Sequence, residues 1–347
     1  MFVLPSTHHH EPLNYYPFQT PRHTLKPPKP CINLPYKIRA PPNLTILHQI
    51  TPKSQSSHHS TNIVKTDDDR TTKSQQTKTQ DDGIPVDDVK IIAKFKSRYN
   101  YIRVLEVSRK ADHPFAGSRL LLLDAPGNIH SISFLFKSFT KTYFDVFATL
   151  PPLLPPGPIA ILGFGAGSAA RLILELYPNA VVQGWELDPS VIAVGREFFG
   201  LSKLEKQYPD RLFIYIGNAM NASIKDGFSG ILVDLFSEGS VITELQDSNK
   251  WEKLKRCLRK GGRIMVNVGG SCVEAENSRR DGKLIMEETL KAMQVVFGNK
   301  LSVLNLGSRK DDSSLALTGE LPNLDEWKKA VHGYLRRYVY MWKPFSG

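Results

Sequence analysis

The chain has 347 residues, with 45 Lys+Arg against 34 Asp+Glu and a formal net charge of +11. That length supports roughly two to three folded units of ~150 residues, and a full hydrophobic core without disulfide or metal staples. Three cysteines, Cys31, Cys257 and Cys272, none in a Cys-x-x-Cys pair, exclude a disulfide framework, and no apolar run reaches the ~20 residues of a membrane span.

The positive charge is unevenly placed. Residues 1–66 hold seven basic residues and the single acid Glu11, so they supply +6, and the other 281 residues supply +5. The same segment holds eleven of the 24 prolines and seven of the ten histidines, and neither a 3.6- nor a 2-residue hydrophobic period persists in it. Such a segment cannot bury enough apolar surface to offset the entropy of ordering it. A basic, hydroxyl-rich, acid-poor N-terminus has the composition of an organelle transit peptide. A chloroplast address is expected, with mitochondrion second because arginine is scarce and no amphipathic helix shows. Residues 67–88 read as linker, 89–137 as a small β domain and 138–347 as the main domain. With half the charge in the leader, neither a nucleic-acid nor a membrane partner is expected.

Lys90–Lys96, Tyr101–Val107 and Arg119–Asp124 are short apolar or β-branched runs. Ala125–Asn128 forms a turn and Ile129–Phe134 a returning strand, which together predict a small antiparallel unit. A helix is expected over Phe139–Leu150, stopped by the proline-rich Pro151–Pro156. The rhythm then alternates. Strands are expected at Ile159–Leu162, Ala180–Glu186, Arg211–Ile216, Phe228–Asp234 and Arg263–Val268. Helices are expected at Ser168–Tyr177, Pro189–Phe199, Asn249–Leu258 and Gly282–Phe297, and Leu301–Leu306 with Ser313–Leu317 closes the sheet as a hairpin. Alternation of this kind predicts an α/β fold with a doubly wound parallel sheet, which binds ligands at the carboxyl ends of its strands.

Four features sit at those ends. Gly163, Gly165 and Gly167 follow the first parallel strand directly, and glycine permits a sharp turn and a close approach of ligand. Glu186 ends the second strand, where a carboxylate can accept both hydroxyls of a ribose. Asn218 and Ala219 follow the third strand; Asn218 offers an acceptor for an adenine amine, with Ile216 or Met220 as apolar wall, or else caps a helix. Asp234 ends the fourth strand, facing the position of a reacting atom.

These residues resemble a known family, the spermidine-synthase-like (polyamine synthase) branch of the S-adenosylmethionine-dependent methyltransferase superfamily, over about residues 90–320. Glu186-Leu187-Asp188-Pro189 is similar to its E-[IVL]-D-P motif, Gly217-Asn218-Ala219 to G-D-A, and Lys260-Gly261-Gly262 with Val266-Asn267-Val268 to K-P-G-G…V-N. Tyr143-Phe144-Asp145 with Ala148–Pro151 resembles Y-x-E…T-H-L-P. The resemblance implies a seven-stranded Rossmann-like methyltransferase sheet behind a small antiparallel β domain, and S-adenosylmethionine or its decarboxylated form as ligand. It implies that Gly163, Gly165, Gly167, Glu186, Asn218 and Ala219 hold the nucleoside, and that Asp234 and Tyr143 act on the acceptor. It also implies a homodimer; with the leader's composition, a plant plastid protein is expected.

The chain departs from the family where that family carries acids. Ala166 stands for the Asp of G-G-G-D-G, Ser237 for the second acid of D-[SA]-x-D with Glu238 beside it, and Phe139-Thr140 for an acidic pair. A polyamine is a multiple cation whose buried charges each need a counter-charge. Methyl transfer to a small-molecule or protein acceptor is therefore the first expectation. Aminopropyl transfer to putrescine or spermidine is the alternative, and a non-catalytic binding role the third. No metal is expected.

Overall fold

The structure, a computed structural model, describes residues 84–124, 128–270, 281–307 and 313–346. The expected targeting segment 1–66, most of the linker and the turn residues Ala125–Gly127 lie outside them.

Two main sheets form. The small one is antiparallel, in the order β1 (Val89–Lys96), β2 (Tyr101–Val107), β3 (Ser118–Leu122), β4 (Ile129–Phe134). After it come α1 (Tyr143–Phe147), β5 (Ile159–Leu162), α2 (Ser168–Leu176), β6 (Val182–Glu186), α3 (Pro189–Phe198), α4 (Leu201–Gln207), β7 (Leu212–Ile216) and β8 (Phe228–Val233). A two-residue hairpin follows, β9 (Phe236–Ser237) with β10 (Ser240–Val241). The chain then continues through α5 (Ser248–Arg256), β11 (Leu258–Gly269), α6 (Gly282–Phe297), β12 (Leu301–Asn305), β13 (Ser314–Thr318), α7 (Leu324–Ala330), α8 (Arg336–Val339) and β14 (Lys343–Pro344). The large sheet has the order β14-β12-β13-β11-β8-β5-β6-β7. Its strands from β11 to β7 are parallel, and β13, β12 and β14 add antiparallel pairs. Strand order reverses between β5 and β8, the position at which an open α/β sheet forms its ligand crevice.

The architecture is the α/β methyltransferase type expected, with eight strands in place of seven. The eighth, Lys343–Pro344, pairs by two residues with Ser302 and Val303, too short a run to carry any period. The helix expected over Phe139–Leu150 shrinks to α1. Its approach is recruited by the buried Asp145 carboxylate, which accepts from Thr140 N, Thr140 Oγ1 and Lys141 N at 2.7–2.8 Å. Lys141 accordingly takes φ of 62°, which no helix admits. Lys260–Gly262, expected to terminate a helix ahead of the next strand, instead lies inside β11, where the register against β8 shifts between Leu258 and Arg263. Helix α6 has the expected bounds. Helices α4, α7 and α8 were not anticipated; all three are seven residues or fewer.

The core lies on both faces of the large sheet. One face, with Ile161, Leu172, Ile173 and Leu232, is continuous with Leu120, Ile132, Phe144 and Phe147 from the small sheet and α1. The other packs Leu162, Phe228, Val233 and Val266 under Trp251 and Met293 of α5 and α6. Several polar ties fix the small sheet to the large unit, among them those of Asp188 and Ser168. Asp188, capping α3, accepts from Ser190 N at 2.9 Å, from Asn100 Nδ2 at 2.8 Å and from Ser97 Oγ in the β1–β2 turn. Ser168 at the start of α2 exchanges bonds with the Ile132 backbone, accepting from its N at 2.9 Å and donating to its O at 3.0 Å.

Phe164, in the β5–α2 turn, lies directly over Gly184 of β6, so a Cβ at residue 184 would overlap the ring. Gly184→Ala is expected to lower stability by about 1–3 kcal/mol, as overpacking does. Gly333→Ala, with open space around the new methyl, is expected to be nearly neutral. Urea unfolding of both variants checks the pair, and equal midpoints would contradict the placement of Phe164.

Candidate active site

The glycine-rich turn between β5 and α2 holds Gly163, Gly165 and Gly167, with φ of 84°, 56° and 88°. These left-handed values explain the residue type without a ligand. So does the space around the turn. A Cβ on Gly163 would run into the Asp234 carbonyl, and one on Gly165 would stand 2.6 Å from Ser131 Oγ and 3.1 Å from His130 O. The glycines therefore admit the protein's own segments, the end of β8 on one side and β4 on the other. This sharpens the expectation that they open the turn to a ligand. Ser131 Oγ accepts from Ala166 N at 2.8 Å and donates to His130 O at 2.6 Å, so β4 forms one wall of the turn.

Glu186 reaches this turn from the end of β6. Its Oε2 accepts from Gly165 N at 2.9 Å and its Oε1 from Asp188 N at 3.1 Å. Burial pushes its pKa up to about 7, against the pull of the backbone donors, with Asp188 adding a smaller upward push. A carboxylate offers about four acceptor positions. Gly165 N and Asp188 N take one position on each oxygen and Leu187 N is a further, smaller contributor, so acceptor capacity remains for a diol. The residues therefore fit a ribose.

Beside it, Gly217 N donates to Glu186 O at 2.9 Å, and Asn218 follows. Asn218 Oδ1 accepts from Met220 N at 2.8 Å and caps the short turn Ala219–Asn221. Of the two readings of Asn218, the structure shows the cap, which leaves the amide NH2 as its other polar group. Ala219 and Met220 are buried, whereas Ile216 and Leu187 are exposed and supply the apolar surface at the rim.

Asp234 follows β8 across the turn from Glu186. Its Oδ2 accepts from Tyr143 Oη at 2.8 Å, and its Oδ1 from Asn267 Nδ2 at 3.0 Å. Burial raises its pKa to about 6, and both hydrogen bonds oppose the shift. Tyr143 stands at the first residue of α1, positioned by the Thr142 cap. Asn267, on β11 and 3% exposed, is a site residue to which sequence reading assigned no role. The Val-Asn-Val run around it was the available signal. Tyr143, Asp234, Gly163, Gly165 and Glu186 thus meet around one turn, with Asn218 and Ala219 beside them.

The substituted acidic positions are occupied otherwise. Ala166 is 2% exposed and packs with Val191 and Val194 of α3. Ser237 and Glu238 are exposed, and Glu238 takes φ of 52° in the β9–β10 turn. Thr140 is spent on Asp145. The basic run 250–260 ties carbonyls: Lys253 Nζ to Met220 O, Lys255 Nζ to Val296 O and Arg259 Nε to Gly227 O. Among the described residues no three His, Cys, Asp or Glu side chains form a metal-binding group, and no helix is long and apolar enough to cross a membrane.

No family model matches the chain. Over 206 residues, 59% of the chain, it is 25% identical to the "Probable polyamine aminopropyl transferase" of Bifidobacterium longum. Over 119 residues, 32% of the chain, it is 32% identical to the polyamine aminopropyltransferase of Chromobacterium violaceum. Each match spans 42% of the relative's length, less than half. Among solved structures, a spermidine synthase in complex with the transition-state analogue AdoDATO superposes with a TM-score of 0.50 at 16% identity, covering 66% of this chain and 72% of that one. The chain has a spermidine-synthase-like fold of the S-adenosylmethionine-dependent methyltransferase type, and its curated homologues are polyamine aminopropyltransferases.

Proposed function

We propose that the chain transfers the aminopropyl group of decarboxylated S-adenosylmethionine to an amine. The names of its curated relatives move this reading ahead of methyl transfer, which the sequence alone put first. The structural observation that carries it is the Tyr143–Asp234–Asn267 cluster, a half-buried carboxylate at the carboxyl end of β8 whose desolvation raises its pKa to about 6. An amine attacks only through its free lone pair. As the new N–C bond forms, the C–S bond breaks, the sulfur leaves as a neutral thioether, and the nitrogen must lose a proton. Asp234 is placed to take it, and a base titrating near neutrality suits that task. The same carboxylate offsets two cations, sulfonium and ammonium, which repel as they approach in a site of low dielectric. Glu186 holds the ribose through its remaining acceptor capacity, and alignment of donor and acceptor supplies much of the rate.

Methyl transfer stays as second reading, favoured by the buried methyl of Ala166, which leaves no carboxylate on that wall for a second ammonium. We also propose plastid import with loss of the leader, on composition. Sequencing of the protein from its native tissue is expected to begin between about residues 40 and 85, and an intact Met1 contradicts import with cleavage.

Decarboxylated S-adenosylmethionine with putrescine is expected to yield methylthioadenosine, and Asp234→Asn to lower kcat by about 10²- to 10⁴-fold while affinity for the uncharged product methylthioadenosine changes little. Turnover of S-adenosylmethionine but not its decarboxylated form would overturn the reading.

The raised pKa of Glu186 has a second consequence. The folded protein holds that proton more tightly than the unfolded chain, so its contribution to stability is full below the unfolded value and is lost as pH rises through about 7. Glu186→Gln is expected to stabilise the free protein at pH 8, by on the order of 3 kcal/mol, with no gain at pH 4. The same variant is expected to weaken donor binding at pH 8. Thermal melts and calorimetry across pH check both halves; a pH-independent stability difference would contradict the burial assigned to Glu186.

A further inference from the structure

Residues 217–227 join β7 to β8 and carry Asn218 and Ala219, yet the short turn Ala219–Asn221 is their one regular element. That turn is closed by its own bonds, Asn221 N to Asn218 O and Ala222 N to Ala219 O, both at 3.0 Å. These give it a shape, but a single turn is unstable alone and takes its place from what it bonds and packs against. The placing contacts come from α5 and the residues that follow it. Lys253 Nζ donates to Met220 O at 2.6 Å and reaches Asn221 Oδ1 at 3.4 Å. Cys257, one helical turn further on, points its Sγ at Ala222 O, 3.6 Å away. Arg259 Nε donates to Gly227 O at 3.1 Å, and Phe228 N to Cys257 O at 2.8 Å. Beneath these bonds Ala219, Met220 and Ala222 share an apolar cluster with Trp251 and Leu254 of α5.

The bonds are unequal. A thiol is a weak donor, and Arg259 and Phe228 secure the end of the connection next to β8. Lys253 brings a charged donor to the turn itself, and such a bond is roughly twice as strong as a neutral one. The turn is tied to the site at its other end. Met220 N donates to Asn218 Oδ1 at 2.8 Å, and Gly217 N to Glu186 O at 2.9 Å. Met220 therefore takes Lys253 on its carbonyl and Asn218 on its N–H. Resting on the reading of Glu186, Asn218 and Ala219 as a nucleoside site, we propose that Lys253 is a positioning residue for the nucleobase. Its ammonium pins the Met220 carbonyl, and through Met220 it sets where Asn218 and Ala219 stand relative to Glu186. It touches neither the ligand nor the reacting atoms. A turn ordered before the ligand arrives removes that ordering cost from binding, so the effect falls on affinity and leaves the chemical step alone.

The test is nucleoside affinity, read by calorimetry with methylthioadenosine and the full chain. Lys253→Met keeps the apolar stem and removes the donor. It is expected to weaken binding about 5- to 30-fold and to raise KM for the nucleoside donor in step. Tyr143, Asp234 and Asn267 are untouched, so kcat at saturation is expected to stay within about twofold of the wild type. Lys253→Arg, which still offers the carbonyl a charged donor, is expected to restore most of the affinity. Lys255→Met is the control. It removes a bond of the same kind, to Val296 O at 2.9 Å, on the side of α5 that faces α6, and is expected to leave affinity unchanged. Unchanged affinity in Lys253→Met, a loss confined to kcat, or an equal loss in Lys255→Met overturns the proposal. If the wild type binds neither methylthioadenosine nor S-adenosylmethionine, the nucleoside reading fails, and Lys253 is judged by amide hydrogen exchange. Lys253→Met is then expected to speed exchange at Asn221 and Ala222 about tenfold with the urea midpoint little moved; unchanged exchange there overturns its hold on the turn.

Discussion

The contact between β4 and the glycine-rich turn organises the rest of the molecule. Ser131 Oγ receives the Ala166 N–H, and Ser168 Oγ bonds both backbone groups of Ile132, so the last strand of the small sheet lies against the first turn of the large unit. This is possible only because Gly165 has no side chain; a methyl there would displace Ser131. The turn is consequently shaped from both sides, by β4 and by the Asp234 carbonyl at Gly163. The small sheet is a wall of the site as well as a neighbour of it.

That enclosure sets the electrostatics. Two carboxylates, Glu186 and Asp234, are held among backbone N–H groups, a phenol and an amide, and burial raises both pKa values toward neutrality. Each has hydrogen bonds that favour its charged form and too little solvent to complete the effect. On the proposed reading, a bound sulfonium supplies the missing positive charge, and the site then suits a cationic nucleoside better than a neutral one. Two of the missing acids of the polyamine pattern have local reasons, since Ala166 packs against α3 and Thr140 serves Asp145, whereas Ser237 lies exposed in the β9–β10 hairpin.

Most of the architecture was legible because long-range order follows from local period. The strands from Ile159–Leu162 to Arg263–Val268 are short, mainly apolar runs, and Gly282–Phe297 carries a helical period with Asp281 as cap. What escaped lacks such a signal. Asp145 reorganises residues 139–142 through bonds that no spacing announces, and β14 is two residues of edge pairing. At the site, Glu186 and Asp234 were readable from their places at strand ends, and Tyr143 from its motif. Their surroundings were not. Asn267 reads as an ordinary strand residue until β11 lies beside β8. Conversely, the glycines were legible as a turn, but their closest neighbours are protein atoms.

The central claim is that this turn, with Glu186 on one side and Asp234 on the other, holds a nucleoside whose sulfur faces the acceptor. A crystal structure with methylthioadenosine and putrescine bound tests it most directly. The account predicts both ribose hydroxyls on Glu186, and the putrescine amine within hydrogen-bonding distance of Asp234. A nucleoside bound elsewhere, or a ribose that leaves Glu186 untouched, would contradict it.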